Sequence, residues 1–169
     1  SVMAVHMTNM GIPFYAYSML WTLNGVLIII GQPLVNKLSP YVRLSTQIIV
    51  GIFIFALSFL LLIFARTLTA FVIDFVILTI GEMTSFAGLP AWIAQLTNVN
   101  EAGHYQGLLN IMMSVGRAIG PLYGGFVIEK GSYQFLFISV FCLMTSTLII
   151  ICLYLWHLHR VQRRLNLDK

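Results

Sequence analysis

The run FLFISVFCLMTSTLIIICLYLW, residues 135–156, decides the solvent in which this chain folds. It contains no Asp, Glu, Lys or Arg. As a helix it would rise by about 33 Å, enough to cross a hydrocarbon core of ~30 Å. Its apolar residues do not alternate with period two, which favours a helix over a barrel strand. We therefore expect a transmembrane helix here.

Four earlier runs are also long and predominantly apolar, so the sequence predicts five spans. The other four cover about 13–31, 44–64, 68–96 (interrupted by Pro90) and 108–128. Gly31-Gln32-Pro33 has the composition of a stop signal followed by a loop. The expected fold class is an all-α integral membrane bundle over 13–156. Residues 1–12 should form a loop after the end of a preceding helix, and 157–169 a basic tail.

The overall composition excludes most soluble functions. Hydrophobic residues make up 59% of the 169 residues, whereas charged residues make up only 8%, against roughly 25% in a soluble domain. So few charges cannot cover a soluble enzyme, a nucleic-acid-binding domain or a disordered linker. Cys142 and Cys152 lie about 15 Å apart along one helix, too far for a mutual disulfide. No basic region precedes the first apolar run, so we expect no signal peptide and interpret the chain as a fragment.

The positive charges predict the orientation. Short connections make the spans alternate, so the two sides of the membrane can be compared. One side holds six bases: Lys37, Arg43, Arg160, Arg163, Arg164 and Lys169. The other holds Arg66 and Lys130. The positive-inside rule places the first side, and with it the C-terminus, in the cytoplasm. The cluster at 160–164 fits this signal together with lipid headgroup contact.

Three ionisable residues, Asp74, Glu82 and Arg117, fall within predicted spans. Each costs roughly 2.5–3.5 kcal/mol at the bilayer centre, so all three should face protein or a hydrated cavity. The helical rise places Glu82 about 21 Å and Arg117 about 16 Å below the same surface, which allows an ion pair. Asp74, about 9 Å deep, should be within reach of outside water.

The third span has a flank of small and polar residues. At 100° per residue, Gly81, Ser85 and Gly88 lie within about 40° of Asp74. Such a flank either packs closely on another helix or lines a path. Asn24, near mid-depth of the first span, could bond to another helix or to a solute. Asn24 and Ser85 are therefore candidate cavity residues. A carboxyl group in a partly dry cavity can also take up and release a proton.

The fourth span carries a glycine ridge. Gly116, Gly120 and Gly124 recur every four residues, with Pro121 and Gly125 added. Such spacing lets a neighbouring backbone approach closely, and proline permits a kink. The pattern indicates a helix that moves against a partner.

Signatures of catalysis and metal binding are absent from the sequence. It contains no HExxH, GxSxG or Walker A motif and no Cys/His metal spacing. The four histidines, at positions 6, 104, 157 and 159, lie in or beside predicted loops, so we expect solvated side chains. We predict no enzyme, no metal and no nucleic-acid partner.

Together these patterns resemble the C-terminal half of a major facilitator superfamily transporter, from the end of its seventh helix to its twelfth, of the multidrug-exporter-like kind. The glycine ridge is similar to the antiporter signature GxxxGPxxGG. Thr79-Ile80-Gly81-Glu82-Met83, followed by Pro90, is similar to the family's tenth helix. Trp21-Thr22-Leu23-Asn24-Gly25 resembles the eighth helix.

The cytoplasmic loop motif of the family has an incomplete counterpart in this sequence. Residues 31–38, with Gly31 and Lys37, followed by Arg43, resemble the cytoplasmic motif G-x-x-x-D-R-x-G-R, and Asn36 stands where its acid is expected. Helices two to six of the N-terminal half are the alternative register. The acids of the third span and the decayed loop favour the C-terminal half.

The resemblance implies alternating access by two bundles about a midplane cavity. Glu82 and Asp74 would then couple transport to protons, with Arg117 as their partner. The expected function is proton-coupled export of amphipathic, drug-like solutes across a bacterial cell membrane. The expected partners are lipid, solute and the N-terminal half of the same transporter, without a cofactor beyond the proton gradient. The alternatives are import of a sugar or peptide and a non-transporting receptor or assembly subunit.

Overall fold

The structure is a computed structural model that describes residues 2–167, without the side chains of 158, 159 and 161–167. It contains seven α-helices: α1 Val2–Asn9, α2 Phe14–Leu38, α3 Leu44–Leu62, α4 Leu68–Ser85, α5 Leu89–Leu96, α6 Val99–Lys130 and α7 Tyr133–Leu167. One-turn 3-10 segments follow α2 (Ser39–Tyr41) and join α4 to α5 (Phe86–Gly88). Five stretches are long and apolar enough to cross a membrane: Phe14–Tyr41, Leu44–Leu62, Leu68–Leu96, Val99–Lys130 and Tyr133–His157. The expected all-helical, five-span fold is confirmed.

Successive spans run in opposite directions and so define two faces of the bundle. The His6 face contains the breaks at 10–13, 63–67 and 131–132. The Arg43 face contains the breaks at 39–43 and 97–98. Helix α3 packs against α4 and α7, while α2 packs against α4, and α6 contacts α5 and α7.

The closest helix contact is that of α3 with α4. A Cβ built on Gly81 would lie 2.5 Å from the Phe55 backbone nitrogen, and one on Gly51 2.5 Å from the Ser85 backbone nitrogen. Real Cβ atoms do not approach other atoms so closely, so only glycine fits at both positions. Gly88 extends the contact, since a Cβ there would lie 3.1 Å from Leu44 Cδ1. The small flank of the third span is therefore a packing surface.

We expect this contact to be sensitive to one added methyl group. Gly81→Ala should destabilise the protein by about 1–3 kcal/mol, because the clashing atoms belong to the α3 backbone and cannot rotate away. Gly116→Ala is the matched control, since a Cβ there meets nothing within 4 Å. The measurement is the midpoint of thermal unfolding in detergent. Equal midpoints for the two variants would contradict the packing described here.

The third span breaks where proline requires it. Pro90 has no N–H for the Phe86 carbonyl, and its ring clashes with that carbonyl in an α-helix. The chain forms a 3-10 turn there instead, in which Leu89 N–H donates to the Phe86 carbonyl. Gln47 of α3 donates from Nε2 to the Thr84 carbonyl (3.3 Å), one turn before the break. The predicted interruption is therefore present and is supported from α3.

The prediction that Gly31-Gln32-Pro33 ends the first span was wrong. Helix α2 continues to Leu38 with Pro33 inside it. Pro33 removes a single backbone hydrogen bond, whereas a loop in hydrocarbon would leave several groups without partners. Gly31 serves packing, because a Cβ there would lie 2.7 Å from the Met83 side chain of α4.

Three further boundaries differ from the expected ones. Residues 2–9 form a helix within the predicted loop 1–12, and α6 begins at Val99, so the predicted loop 97–107 shrinks to two residues. The Asn98 carbonyl accepts from the N–H groups of Glu101 and Ala102, which starts α6 early. Helix α7 continues to Leu167, through most of the predicted tail. Lys169 lies outside the described residues.

Candidate functional site

A buried amide joins two spans near mid-depth. Asn24 of α2 is 6% exposed and donates from Nδ2 to Thr79 Oγ1 (2.9 Å) and to Glu82 Oε2 (3.0 Å) on α4. The Thr79 hydroxyl in turn donates to the Phe75 carbonyl (2.6 Å). Asn24 lies about 15 Å, and Thr79 about 16 Å, along the helix axis from the His6-face ends of their helices. We call Asn24, Thr79 and Glu82 the polar node.

Helical periodicity brings the node together. Thr79 and Glu82 are three residues apart and therefore share one face of α4. One turn nearer the His6 face, Trp21 of α2 and Phe75 of α4 meet edge to face, with ring centroids 5.9 Å apart. This aromatic contact sets the axial position of α2 relative to α4. The amide of Asn24, three residues after Trp21, therefore lies at the same depth as Thr79 Oγ1 and Glu82 Oε2.

The half-buried Glu82 also faces a small cavity. This space of about 180 Å³ is lined by Ile28, Gln32, Glu82, Met83, Phe86 and Ala87. Among the described residues, Glu82 is bonded by the neutral Asn24 amide and by no cation. A carboxyl group placed in this way can exchange a proton or attract a positive solute without first breaking an ion pair.

The possible Glu82–Arg117 ion pair is not formed. Arg117 is exposed on α6, and no salt bridge joins it to Glu82 within the part of the chain that the structure describes. The two residues have similar depths, but among the described residues α6 makes its main contacts with α5 and α7, whereas Glu82 bonds to Asn24 of α2. A shared depth therefore did not bring the charges together.

Asp74 lies elsewhere than expected. It is 2% exposed, and neither carboxylate oxygen has a hydrogen-bond partner among the described residues. Gly81, seven residues further along the same flank of α4, packs against the α3 backbone at Phe55. The predicted access to outside water was wrong, because the side chain lies on the flank that packs on α3. Leaving such a group without a partner costs about 1–3 kcal/mol or more.

Ser85 and the glycine ridge serve different contacts from those expected. Ser85 is fully buried against α3, and its hydroxyl donates to the Gly81 carbonyl (2.7 Å), so the structure places it in a helix contact and not in a cavity. Along the ridge, a Cβ on Gly116, Gly120 or Gly125 would meet nothing within 4 Å. A Cβ on Gly124 would lie 3.3 Å from Val2 Cγ2 of α1 and 3.9 Å from Leu136 Cδ2 of α7. Most of the ridge therefore packs closely on no other helix among the described residues.

An apolar cavity of about 420 Å³ lies between the helices on the His6 side of the polar node. Gly120, Pro121 and Gly124 of the ridge contribute to it. Its aromatic walls are Tyr17, Trp21, Phe59, Phe75, Tyr123 and Phe137. Sequence reasoning missed these aromatic residues and Thr79. The signal for Thr79 was its three-residue spacing from Glu82, whereas the aromatic residues come from five helices and share no motif.

The residues of the loop motif lie at the Arg43 face. Lys37 is exposed in the last turn of α2, and Arg43 is exposed just before α3. Arg43 borders a polar cavity of about 750 Å³ together with Asn36, Trp92 and Gln95. His104 and His157 are exposed. The side chains at 159, 163 and 164 lie outside the described part of the chain.

Comparison with known proteins agrees with this architecture. The sequence matches the Major Facilitator Superfamily over residues 1–167. It is 36% identical over 156 residues to the uncharacterized MFS-type transporter YttB of Bacillus subtilis, covering 91% of this chain and 39% of that protein. It is 34% identical over 106 residues to the vacuolar basic amino acid transporter 1 of Saccharomyces cerevisiae, covering 63% and 19% respectively. The chain thus spans less than half the length of these relatives. By its family match, the chain belongs to the Major Facilitator Superfamily.

Proposed function

We propose that this chain is half of a secondary active transporter that exports amphipathic solutes in exchange for protons. The observation that carries the proposal is the polar node, in which a mid-span carboxyl group is held by a neutral amide beside a cavity. An intramembrane acid is expensive to keep, so its presence usually marks a path for an ion or a solute. The N-terminal half would supply the second wall of the solute path, and the Arg43 face would lie in the cytoplasm of a bacterial cell.

Proton binding at Glu82 would bias the conformational equilibrium. The ionised carboxylate accepts the Asn24 hydrogen bond and needs water or a positive solute for its remaining charge. The protonated form needs neither and tolerates a closed, dry surrounding. A group whose charge is stabilised differently in two states shifts the equilibrium between them. Asp74, buried without a hydrogen-bond partner among the described residues, would act in the same way on the α3–α4 contact.

The break in the third span supports motion at the Arg43 face. Helix α4 is held against α3 by Gly51 and Gly81, whereas α5 is joined to it through the 3-10 turn at Phe86–Gly88. Gln106 of α6 donates from Nε2 to the Pro90 carbonyl (2.7 Å) and so ties α5 to α6. We expect α5 and the adjoining end of α6 to move together about this turn while α4 stays in place.

The cavities support an amphipathic solute. An apolar body would pack on the aromatic walls of the 420 Å³ cavity. A polar or positive end could then reach the Asn24 amide and Glu82, one turn further along α2 and α4. Such apolar pockets with a few convergent polar groups are the usual form of small-molecule sites.

A cationic amino acid is the second candidate solute. The yeast relative is named as a transporter of basic amino acids. Glu82 faces a cavity and has no cation beside it among the described residues, so it could balance the charge of such a solute. This candidate shares the fold and the coupling acids with the first and differs in the solute alone.

The full-length protein in vesicles can test both candidates. A proton gradient is imposed, and the movement of labelled tetraphenylphosphonium and of labelled arginine is followed. Either probe moving against the proton flow, with loss of movement on adding a protonophore, supports coupled exchange. Movement of a probe in the same direction as the protons would instead identify an importer. If counterflow of a panel of cations, sugars and peptides gives no flux, the proposal fails in favour of a receptor or assembly role.

A further inference from the structure

His6 is buried, although its position beside a predicted loop suggested a solvated side chain. It is 8% exposed and lies in α1, outside the candidate spans. Its ring lies 4.2 Å from the ring of Tyr133 at an angle of 34°. Phe137 and Phe71 approach it edge to face at 5.5 and 6.2 Å. We call these three aromatic residues with His6 the His6 cage.

The cage joins three helices at one point. Tyr133 is the first residue of α7, Phe137 follows one turn later, and Phe71 lies in the first turn of α4. Asn9 of α1 also donates from Nδ2 to the Tyr133 hydroxyl (3.5 Å). Next to the cage, Met7 of α1 is 1% exposed in the apolar core of the His6 face. Contacts centred on His6 therefore contribute to the docking of α1, beside the contacts of α1 with α2 and α6.

The imidazole is held in a setting that suits its neutral form. No hydrogen bond to either ring nitrogen is formed within the described residues, and the surrounding rings are apolar. Burial, and after it the positive charge of Arg66, lowers the pKa of His6 from its ordinary value of 6.5. The remaining exposure of the ring still allows a proton to arrive from the His6 face.

Other titratable groups on the neighbouring elements are few. They are Arg66 in the turn before α4, Asp74 further along α4, Tyr133 on α7, Tyr17 on α2, and Glu129 with Lys130 at the end of α6. Arg66 is the one whose charge acts on His6. No carboxylate in the described chain is placed to compensate a protonated ring.

We propose that the His6 cage is a proton-operated latch that keeps α1 docked against α4 and α7 while the imidazole is neutral. Protonation places an uncompensated charge among three rings and beside Arg66, so the docked state loses stability. Release of α1 would open the His6 end of the apolar cavity, because Val2 and Met3 form part of its wall. The latch concerns the docking of α1, and its test is independent of whether the protein transports a solute.

The direction of the pH effect follows from the lowered pKa. In the released state the ring binds a proton at about its ordinary pKa of 6.5, whereas in the docked state it does so at lower pH. The contribution of neutral His6 to docking is therefore fully present above pH 6.5 and is lost as the pH falls toward the docked pKa. Acidification of the His6 face should release α1.

The test measures the accessibility of α1 in the full-length protein in vesicles. Cysteine is introduced as Met7→Cys, at a buried position, or as Val5→Cys, which replaces a 54% exposed residue of the same helix. Cys142 and Cys152, both free and exposed, are replaced by serine beforehand. Maleimide labelling rates are expressed as the ratio of the two reporters, which cancels the pH dependence of the thiol. The ratio should rise with acidification by up to about tenfold per pH unit, following the protonated fraction.

Three variants decide whether His6 is responsible. His6→Phe, which fills the cage without a titrating group, should make the ratio independent of pH. Arg66→Gln should move the midpoint to higher pH, because it removes the repelling charge. Asp74→Asn should leave the pH dependence of the labelling ratio unchanged. A flat wild-type ratio, a response that survives His6→Phe, or one that disappears with Asp74→Asn would overturn the latch. Ala4→Cys, also at a buried position, replaces the first reporter if Met7→Cys does not fold.

Discussion

Replacing Glu82 by glutamine should reduce gradient-driven transport to the level of protein-free vesicles, with normal insertion and folding of the protein. The substitution removes the ionisable proton and changes little else. Glutamine has nearly the same volume, and its side-chain carbonyl can still accept the hydrogen bond that Asn24 donates to Oε2 (3.0 Å). The connection between α2 and α4 is therefore retained while the coupling group is lost.

Two measurements separate coupling from binding in this variant. Gradient-driven flux should disappear, whereas exchange of labelled for unlabelled solute without a gradient should continue, since exchange needs no net proton movement. Glu129→Gln is the matched control, because Glu129 is exposed in the last turn of α6 and the same charge is removed. Undiminished flux with Glu82→Gln would remove Glu82 from the mechanism and leave the node a structural contact.

The fold could be predicted because the bilayer imposes strong constraints on sequence. Each span needs about 20 apolar residues, and such runs are visible without any knowledge of packing. The ends of the helices were predicted less well than the spans themselves. A proline usually ends a helix in a soluble protein, yet α2 continues past Pro33 to Leu38 and loses one backbone hydrogen bond. The polar start of α6 was taken for a loop, although Glu101 is a favourable residue in a first helical turn.

The site could be predicted in part. Asn24 and Glu82 were both identified as polar groups at depth, and they do bond to each other. Their pairing was not foreseen, because depth along a helix is fixed by residue number whereas the face that meets a neighbour depends on how the helices are rotated. Arg117 shares the depth of Glu82 but not its direction. Asp74 was placed near water by depth alone, yet its flank is the one that packs on α3.

Replacing Asp74 by leucine should stabilise the protein and at the same time impair its proton coupling. Both carboxylate oxygens of Asp74 are buried without hydrogen-bond partners among the described residues. A side chain of similar size without polar atoms removes that penalty, for an expected gain of about 1–3 kcal/mol in the free energy of unfolding. The midpoint of thermal unfolding in detergent measures the gain, and gradient-driven flux measures the loss.

Two control variants separate the effect of the ionisable proton from the effect of the buried polar atoms. Asp74→Asn keeps a buried polar group and loses the ionisable proton, so flux should fall without the gain in stability. Ser58→Ala removes a hydroxyl that is buried but satisfied, since it donates to the Phe55 carbonyl (2.8 Å), and should bring no gain either. If Asp74→Leu lowers the unfolding midpoint, the carboxylate is stabilised where it lies. A gain in stability with unchanged flux would show that Asp74 destabilises the protein and takes no part in coupling. Opposite changes in stability and flux are the result expected of a group kept for function, because proteins retain an unfavourable buried charge in a membrane where its protonation is used.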